Sequence, residues 1–199
     1  MSKQTNGYYR FPTIFKDKVV FVSEDDLWMI STKGGQATRL TANLGEVSRP
    51  RFSPDGKYIA FTGREEGNSE IYVMPSEGGQ ATRLTWQGAA CATIGWRNDK
   101  IIYSSNANQA ISRQMVLFEI PRNGGYPKAL PYGPASQISI HEKGTVLGRN
   151  TEDLARWKRY RGGTAGEILI DNGNTGKFKV LVDLKSNLST PMWIGDRIY

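Results

Sequence analysis

Gly34-Gly35-Gln36-Ala37-Thr38-Arg39-Leu40-Thr41 recurs without a change as Gly78-Gly79-Gln80-Ala81-Thr82-Arg83-Leu84-Thr85, 44 residues later. An eroded third copy, Gly124-Gly125-Tyr126-Pro127-Lys128-Ala129-Leu130, follows after 46 more, and Gly176-Lys177-Phe178-Lys179-Val180-Leu181 is fainter still. A period near 45 residues belongs either to propeller blades or to helical arrays. The sequence between the copies decides which.

Each repeat holds three further short runs rich in β-branched and aromatic residues. In the second they are Arg49-Pro50-Arg51-Phe52, Tyr58-Ile59-Ala60-Phe61-Thr62 and Glu70-Ile71-Tyr72-Val73-Met74. In the first, Val19-Val20-Phe21-Val22 and Leu27-Trp28-Met29-Ile30 correspond, and in the third Ile101-Ile102-Tyr103-Ser104 and Val116-Leu117-Phe118-Glu119-Ile120. Gly, Pro, Asn and Asp bound the runs, which are too short for helices. Ser53-Pro54-Asp55-Gly56 is a turn by mechanism. Proline presets the first corner, Asp bonds back to the backbone and Gly takes the positive φ. Helical arrays are excluded. A four-stranded sheet with two apolar faces is stable only when stacked on others, and radial stacking leaves only short edges.

The expected fold is therefore all-β, a β-propeller of four-stranded antiparallel blades. The blades fall near residues 10–41, 48–85, 92–131 and 136–182, with a partial fifth over 189–199, within a single incomplete domain. Four blades and a fraction of a fifth are expected in this chain.

Bulk properties narrow the function classes. Twenty-two glycines and nine prolines in 199 residues suit many strands joined by turns. The lone Cys91 permits no intrachain disulfide and reads as a small buried or half-buried filler. No run approaches the length of a transmembrane helix, and the first residues lack the apolar segment of a secretory signal. A cytoplasmic protein without membrane association is expected. The net charge of +7 comes mostly from single basic residues at turns, so a nucleic-acid partner is not expected.

The blade pattern of strand, Ser-Pro-Asp-Gly, strand, Asp-Leu-Trp-type strand and Gly-Gly…Thr-Arg-Leu-Thr resembles the TolB-like and tricorn-like propellers. Two stretches narrow the likeness. One runs from Val19-Val20-Phe21-Val22 through Asp25-Asp26-Leu27-Trp28 to Ala42-Asn43-Leu44-Gly45. The other is Gly148-Arg149-Asn150-Thr151 followed by Trp157-Lys158-Arg159-Tyr160-Arg161-Gly162-Gly163-Thr164. This latter stretch resembles the fourth blade of the six-bladed N-terminal propeller of tricorn-type serine peptidases. The resemblance implies a peptide gate, channel or scaffold, with peptidase and PDZ-like domains downstream in the same polypeptide and a homo-oligomeric full-length form. Peptides are the implied partners, and no cofactor or metal is expected. The alternative is a TolB-like propeller that binds protein partners without peptidase activity.

No catalytic residue is expected in this segment. The only histidine, His141, lies in a turn-like His-Glu-Lys-Gly, and there is no Gly-x-Ser-x-Gly elbow. The family's arginine pair for substrate carboxylates has no counterpart, because the matching loop, Trp86 to Ala92, contains no arginine. A substitute is offered by Trp157, Lys158, Arg159, Tyr160 and Arg161, where guanidinium groups and aromatics could grip a peptide. The same residues would equally suit a loop that anchors to a neighbouring domain. Glu24-Asp25-Asp26 and Arg64 to Asn68 read as solvated hairpin turns, and Trp28, Trp96 and Trp193 as fillers between sheets.

Overall fold

The computed structural model describes residues 7–42, 44–151, 162, 165–184 and 188–199. Among these there is no helix. The strands are β1 (Arg10–Phe15), β2 (Lys18–Ser23), β3 (Asp26–Ser31), β4 (Thr38–Arg39), β5 (Ser48–Phe52), β6 (Tyr58–Gly63), β7 (Glu70–Pro75), β8 (Thr82–Arg83) and β9 (Cys91–Arg97). They continue as β10 (Lys100–Ser105), β11 (Val116–Pro121), β12 (Lys128–Pro134), β13 (Gln137–His141), β14 (Gly144–Arg149), β15 (Glu167–Asn172), β16 (Lys179–Val180), β17 (Trp193–Ile194) and β18 (Arg197–Ile198). Four sheets are four-stranded with sequential neighbours, β1 to β4, β5 to β8, β9 to β12 and β13 to β16, and β17 pairs β18. The chain divides into two compact units, Met1–Ile101 with Ile120–Gly125, and Ile102–Glu119 with Tyr126–Tyr199.

In the first unit the repeat is visible in the register. Phe21 faces Trp28 across β2–β3, and Phe61 faces Tyr72 at the matching place across β6–β7. Strand β2 alternates, with Val20 and Val22 buried and their neighbours half-buried, whereas β6 is buried at Ile59, Ala60, Phe61, Thr62 and Gly63 alike. A strand buried on both faces has a layer on each side. For β6 those layers are the first sheet, through Val20, Val22 and Leu27, and β9. Thr62 Oγ1 and Thr93 Oγ1 lie 3.1 Å apart, and the Thr93 N–H donates to Thr62 Oγ1 at 2.9 Å. The buried polar groups of that contact thereby satisfy one another.

The first strands of successive sheets adjoin: β1 lies beside β5, and β5 beside β9. Two of them carry the same irregularity. The register slips between Arg10 and Thr13 and between Ser48 and Arg51. At these slips Phe11 (φ 51°) and Arg49 (φ 52°) hold a left-handed backbone immediately before a proline, as does Thr190 (φ 51°) ahead of β17. A bulge carrying proline removes a donor from a strand edge and blunts it against further pairing.

In the second unit β13, β14 and β15 pair in unbroken register, from Ile138↔Leu147 to Leu147↔Leu169. The Tyr132 and Phe178 rings meet edge to face, with centroids 5.3 Å apart. The β17–β18 hairpin is tied to β13 by the Trp193 N–H donating to Ser139 Oγ at 3.0 Å.

The three tryptophans expected between sheets are only half-buried. The fully buried aromatics are Phe61 and Tyr103. Trp28 Nε1 donates to the Ser23 carbonyl at 3.0 Å and Trp96 Nε1 to the Arg51 carbonyl at 2.9 Å. An indole N–H favours an acceptor, and for Trp96 that acceptor lies on β5 of the neighbouring sheet.

Candidate functional site

In a four-stranded meander, the connection from the second to the third strand and the link to the next sheet emerge at the same end. In the first unit that end carries Glu24 and Asp25, the link of residues 40–47, the turn of residues 64–69 and the link of residues 84–90. The Thr-Arg-Leu-Thr tetrapeptides terminate there, and the structure explains their identity.

Thr41 Oγ1 donates to Asp26 Oδ1 at 2.8 Å and accepts the Leu27 N–H at 2.9 Å. Thr85 Oγ1 likewise donates to Glu70 Oε2 and accepts the Ile71 N–H at 2.9 Å. The intervening arginines act alike as well. Arg39 Nε donates to the Thr41 carbonyl at 2.9 Å and Arg83 Nε to the Thr85 carbonyl at 2.8 Å. Arg39 also pairs with Asp26, and Arg83 with Glu66 and Glu70. Each unit is a carboxylate buried at the head of the third strand, neutralised by an arginine and bridged to the backbone by a threonine. A buried charge is tolerated only with such partners. Asp26 is thus a buried structural acid. Glu24 (φ 50°) and Asp25 (φ 62°) alone form the exposed hairpin turn. Sequence reasoning missed these two acids, although each precedes its threonine by 15 residues in both repeats.

Around them lies a band of ion pairs. Arg10 reaches Asp25 at 2.9 Å and Glu46 at 3.5 Å, and Arg64 reaches Glu46 at 3.5 Å. The Tyr72 hydroxyl donates to Glu65 Oε2 at 3.2 Å. Burial pushes that phenol up, Arg83 opposes the shift and Glu65 adds to it.

The arginine-free loop that follows is pinned by its neighbours. The Gly88 N–H donates to Glu70 Oε1 at 2.9 Å and the Cys91 N–H to Ser69 Oγ at 2.8 Å. Cys91 is buried, with its Sγ 3.5 Å from Gln87 Oε1. Trp86 is different: it is 70% exposed, and the Arg83 guanidinium lies 5.4 Å from its ring centroid.

In the second unit, Gly148-Arg149-Asn150-Thr151 forms a fixed corner. A Cβ on Gly148 would meet Thr151 Oγ1 at 2.5 Å and Gln137 Cβ at 3.0 Å, so only glycine fits. Arg149 Nε donates to the Pro134 carbonyl at 3.0 Å, Ser136 Oγ lies 2.9 Å from Thr151 Oγ1, and Asn150 takes φ 54°. The motif locks β14 where it hands over to the basic segment. Trp157, Lys158, Arg159, Tyr160 and Arg161 lie outside the described residues, as does Asn43 of the other matched stretch. His141 stacks on Trp193 with centroids 4.8 Å apart, and its Nδ1 accepts the Lys143 N–H at 3.2 Å. Among the described residues no three His, Cys, Asp or Glu side chains gather as metal ligands, and no helix is long and apolar enough to cross a membrane.

The family model described as the tricorn protease N-terminal beta propeller domain matches residues 6–199. Tricorn protease homolog 1 of Streptomyces coelicolor is 40% identical over 196 residues, which cover 96% of this chain and 18% of that relative. A protein of Sulfurisphaera tokodaii named putative Tricorn-like protease N-terminal subunit is 34% identical, over 85% of this chain and 90% of its own length. The crystal structure of the tricorn protease superposes with a TM-score of 0.88 at 33% identity, covering 98% of this chain and 20% of that one. A putative TolB from Agrobacterium tumefaciens, at TM-score 0.68 and 17% identity, shares the fold alone. With the repeat, the four-stranded sheets and these matches in agreement, the chain is a β-propeller and belongs to the tricorn protease N-terminal propeller family.

Proposed function

We propose that this chain is the propeller segment of a cytoplasmic tricorn-type serine peptidase, where it gates, channels or scaffolds peptides while the reacting groups reside elsewhere. The observation that carries the reading is the family match across residues 6–199. It is supported by the engagement of the only histidine, which stacks on Trp193 and accepts the Lys143 N–H. The chain spans about a fifth of the length of most of the curated relatives it matches, so peptidase and PDZ-like domains, peptide substrates and a homo-oligomeric form belong to this proposal. The segment Trp157 to Arg161 is the proposed peptide or interdomain contact. The test is hydrolysis of short peptides by the full-length protein. Turnover that persists when a downstream serine peptidase domain is inactivated would overturn the reading.

A second reading is favoured by the Sulfurisphaera tokodaii relative, 90% of whose length this chain covers. Here the propeller segment is a separate subunit that is completed by another polypeptide. Co-purification with a second polypeptide that carries the remaining blades distinguishes this arrangement from a single continuous chain.

A further inference from the structure

The two identical octapeptides form an internal control. Gly34–Thr41 and Gly78–Thr85 build the same corner, with the same arginine, threonine and buried acid in the same roles. The residue that follows differs: Ala42 in the first copy and Trp86 in the second. The corner therefore closes with a methyl group, and the indole answers to some other requirement. It does not fill the core, being 70% exposed.

Within the fold the indole lies against Arg83. That side chain is 17% exposed, against 51% for Arg39 in the copy without a tryptophan. The cover is held from below. Arg83 is fixed by the Thr85 carbonyl, Glu66 and Glu70, and the guanidinium sits 5.4 Å from the ring centroid. Beyond the ring the backbone is fixed by the Gly88 N–H on Glu70. The result is an outward-facing aromatic ring whose flanking backbone is held on both sides, which lowers the ordering cost of a complex.

We propose that Trp86 is a binding plate for an uncharged aromatic or aliphatic side chain of a peptide crossing the face where the sheets are linked. This rests on the peptide-handling role proposed above. The chemistry selects the ligand class. A cation already occupies one face of the ring quadrupole, so a second cation gains little on the open face, whereas an aromatic or aliphatic group gains stacking and burial. Fixed, partly exposed tryptophans are also the residues on which binding energy concentrates.

The experiment uses the full-length protein and capped hexapeptides of Ser and Gly with one central Phe, Leu, Lys or Ser, titrated calorimetrically. Wild type is expected to favour Phe and Leu over Lys and Ser by about tenfold. Trp86→Ala and Trp86→Leu should both lose the preference for Phe while binding the Ser peptide as before. Their melting temperature should stay within about 2 °C of wild type, because the first repeat already closes on alanine. Trp86→Leu keeps an apolar cover on Arg83 and carries the test if the alanine variant folds poorly. A Phe preference unchanged in both variants overturns the plate alone. Wild type that binds none of the peptides overturns the peptide-handling role together with it. Loss of Trp86 fluorescence quenching by acrylamide in the full-length protein, taken as the wild-type minus Trp86→Ala difference, overturns it by showing an interdomain contact.

Discussion

Thr85 sits between the Glu70 carboxylate, which is 1% exposed, and the Ile71 N–H of β7. Replacing it with valine preserves shape and removes both bonds. Glu70 would keep Arg83 and the Gly88 N–H, but Ile71 would lose its acceptor. A loss of about 2 kcal/mol is expected for Thr85→Val, seen as a fall of roughly 5 °C in the melting temperature. Thr41→Val should behave alike, and a shift below about 1 °C in both variants would remove the structural role given to the motif. A buried acid of the second unit supplies a pH signature. Asp171 accepts hydrogen bonds from the Thr175 N–H at 2.9 Å, the Thr175 hydroxyl at 2.8 Å and the Gly176 N–H at 2.6 Å. Burial acts to raise its pKa, but these donors outweigh it and the carboxyl lies below its ordinary value. A depressed folded pKa contributes stability above the unfolded value, near about 4, which is lost as pH falls through the folded one. Asp171→Asn should therefore melt below wild type at pH 7 and approach it as the pH falls through the folded value.

At the scale of the element, the Ser53-Pro54-Asp55-Gly56 turn was fully legible. Gly56 takes φ 73°, its N–H donates to the Ser53 carbonyl at 2.9 Å, and Asp55 Oδ1 accepts the Lys57 N–H at 3.0 Å. What the sequence could not carry is the neighbour. A Cβ on Gly56 would lie 2.1 Å from Phe15, a residue of the preceding sheet that packs on Phe52 with centroids 5.9 Å apart. Gly56→Ala thus combines backbone strain with a clash, and a cost of about 2–3 kcal/mol is expected by chemical denaturation. A change below about 0.5 kcal/mol would mean that Phe15 moves aside freely. The same limit explains the tryptophans. Aromatic residues in a strand run announce burial, yet Trp28 and Trp96 stay half-buried, each with its indole N–H on a backbone carbonyl.

For the whole molecule, the magnitude of surface pairing decides what matters. Lys143 and Asp196 join β14's turn to the β17–β18 hairpin, but both side chains are more than half exposed. Asp196→Asn should change the melting temperature by less than about 1 °C, because an ion pair in that setting is worth little. The sheet contacts are different, since β6 is buried on both faces. Phe61→Ala should cost about 3–5 kcal/mol, and a milder effect would mean that the layers on either side collapse into the gap. On function, replacing Arg159 and Arg161 together by alanine in the full-length protein should lower kcat/KM for peptides without altering the melting temperature. Unchanged kinetics would leave that segment an anchoring role.

By itself the sequence determined the all-β class, the four-stranded period and the family, because repeats, turn chemistry and strand-length apolar runs are local properties that survive without coordinates. The structure adds a reason for the repeated Gly-Gly pairs: Gly34, Gly35, Gly78, Gly79, Gly124 and Gly125 all carry φ between 85° and 124°, a backbone that favours glycine. Only the tertiary structure decided which acids are buried, since Asp25 and Asp26 are adjacent in sequence but lie on opposite sides of a solvent boundary. It alone showed that Trp86, where the first repeat has Ala42, stays exposed beside a covered arginine. Burial and the face left open depend on residues brought together by the sheets, and no local pattern encodes them.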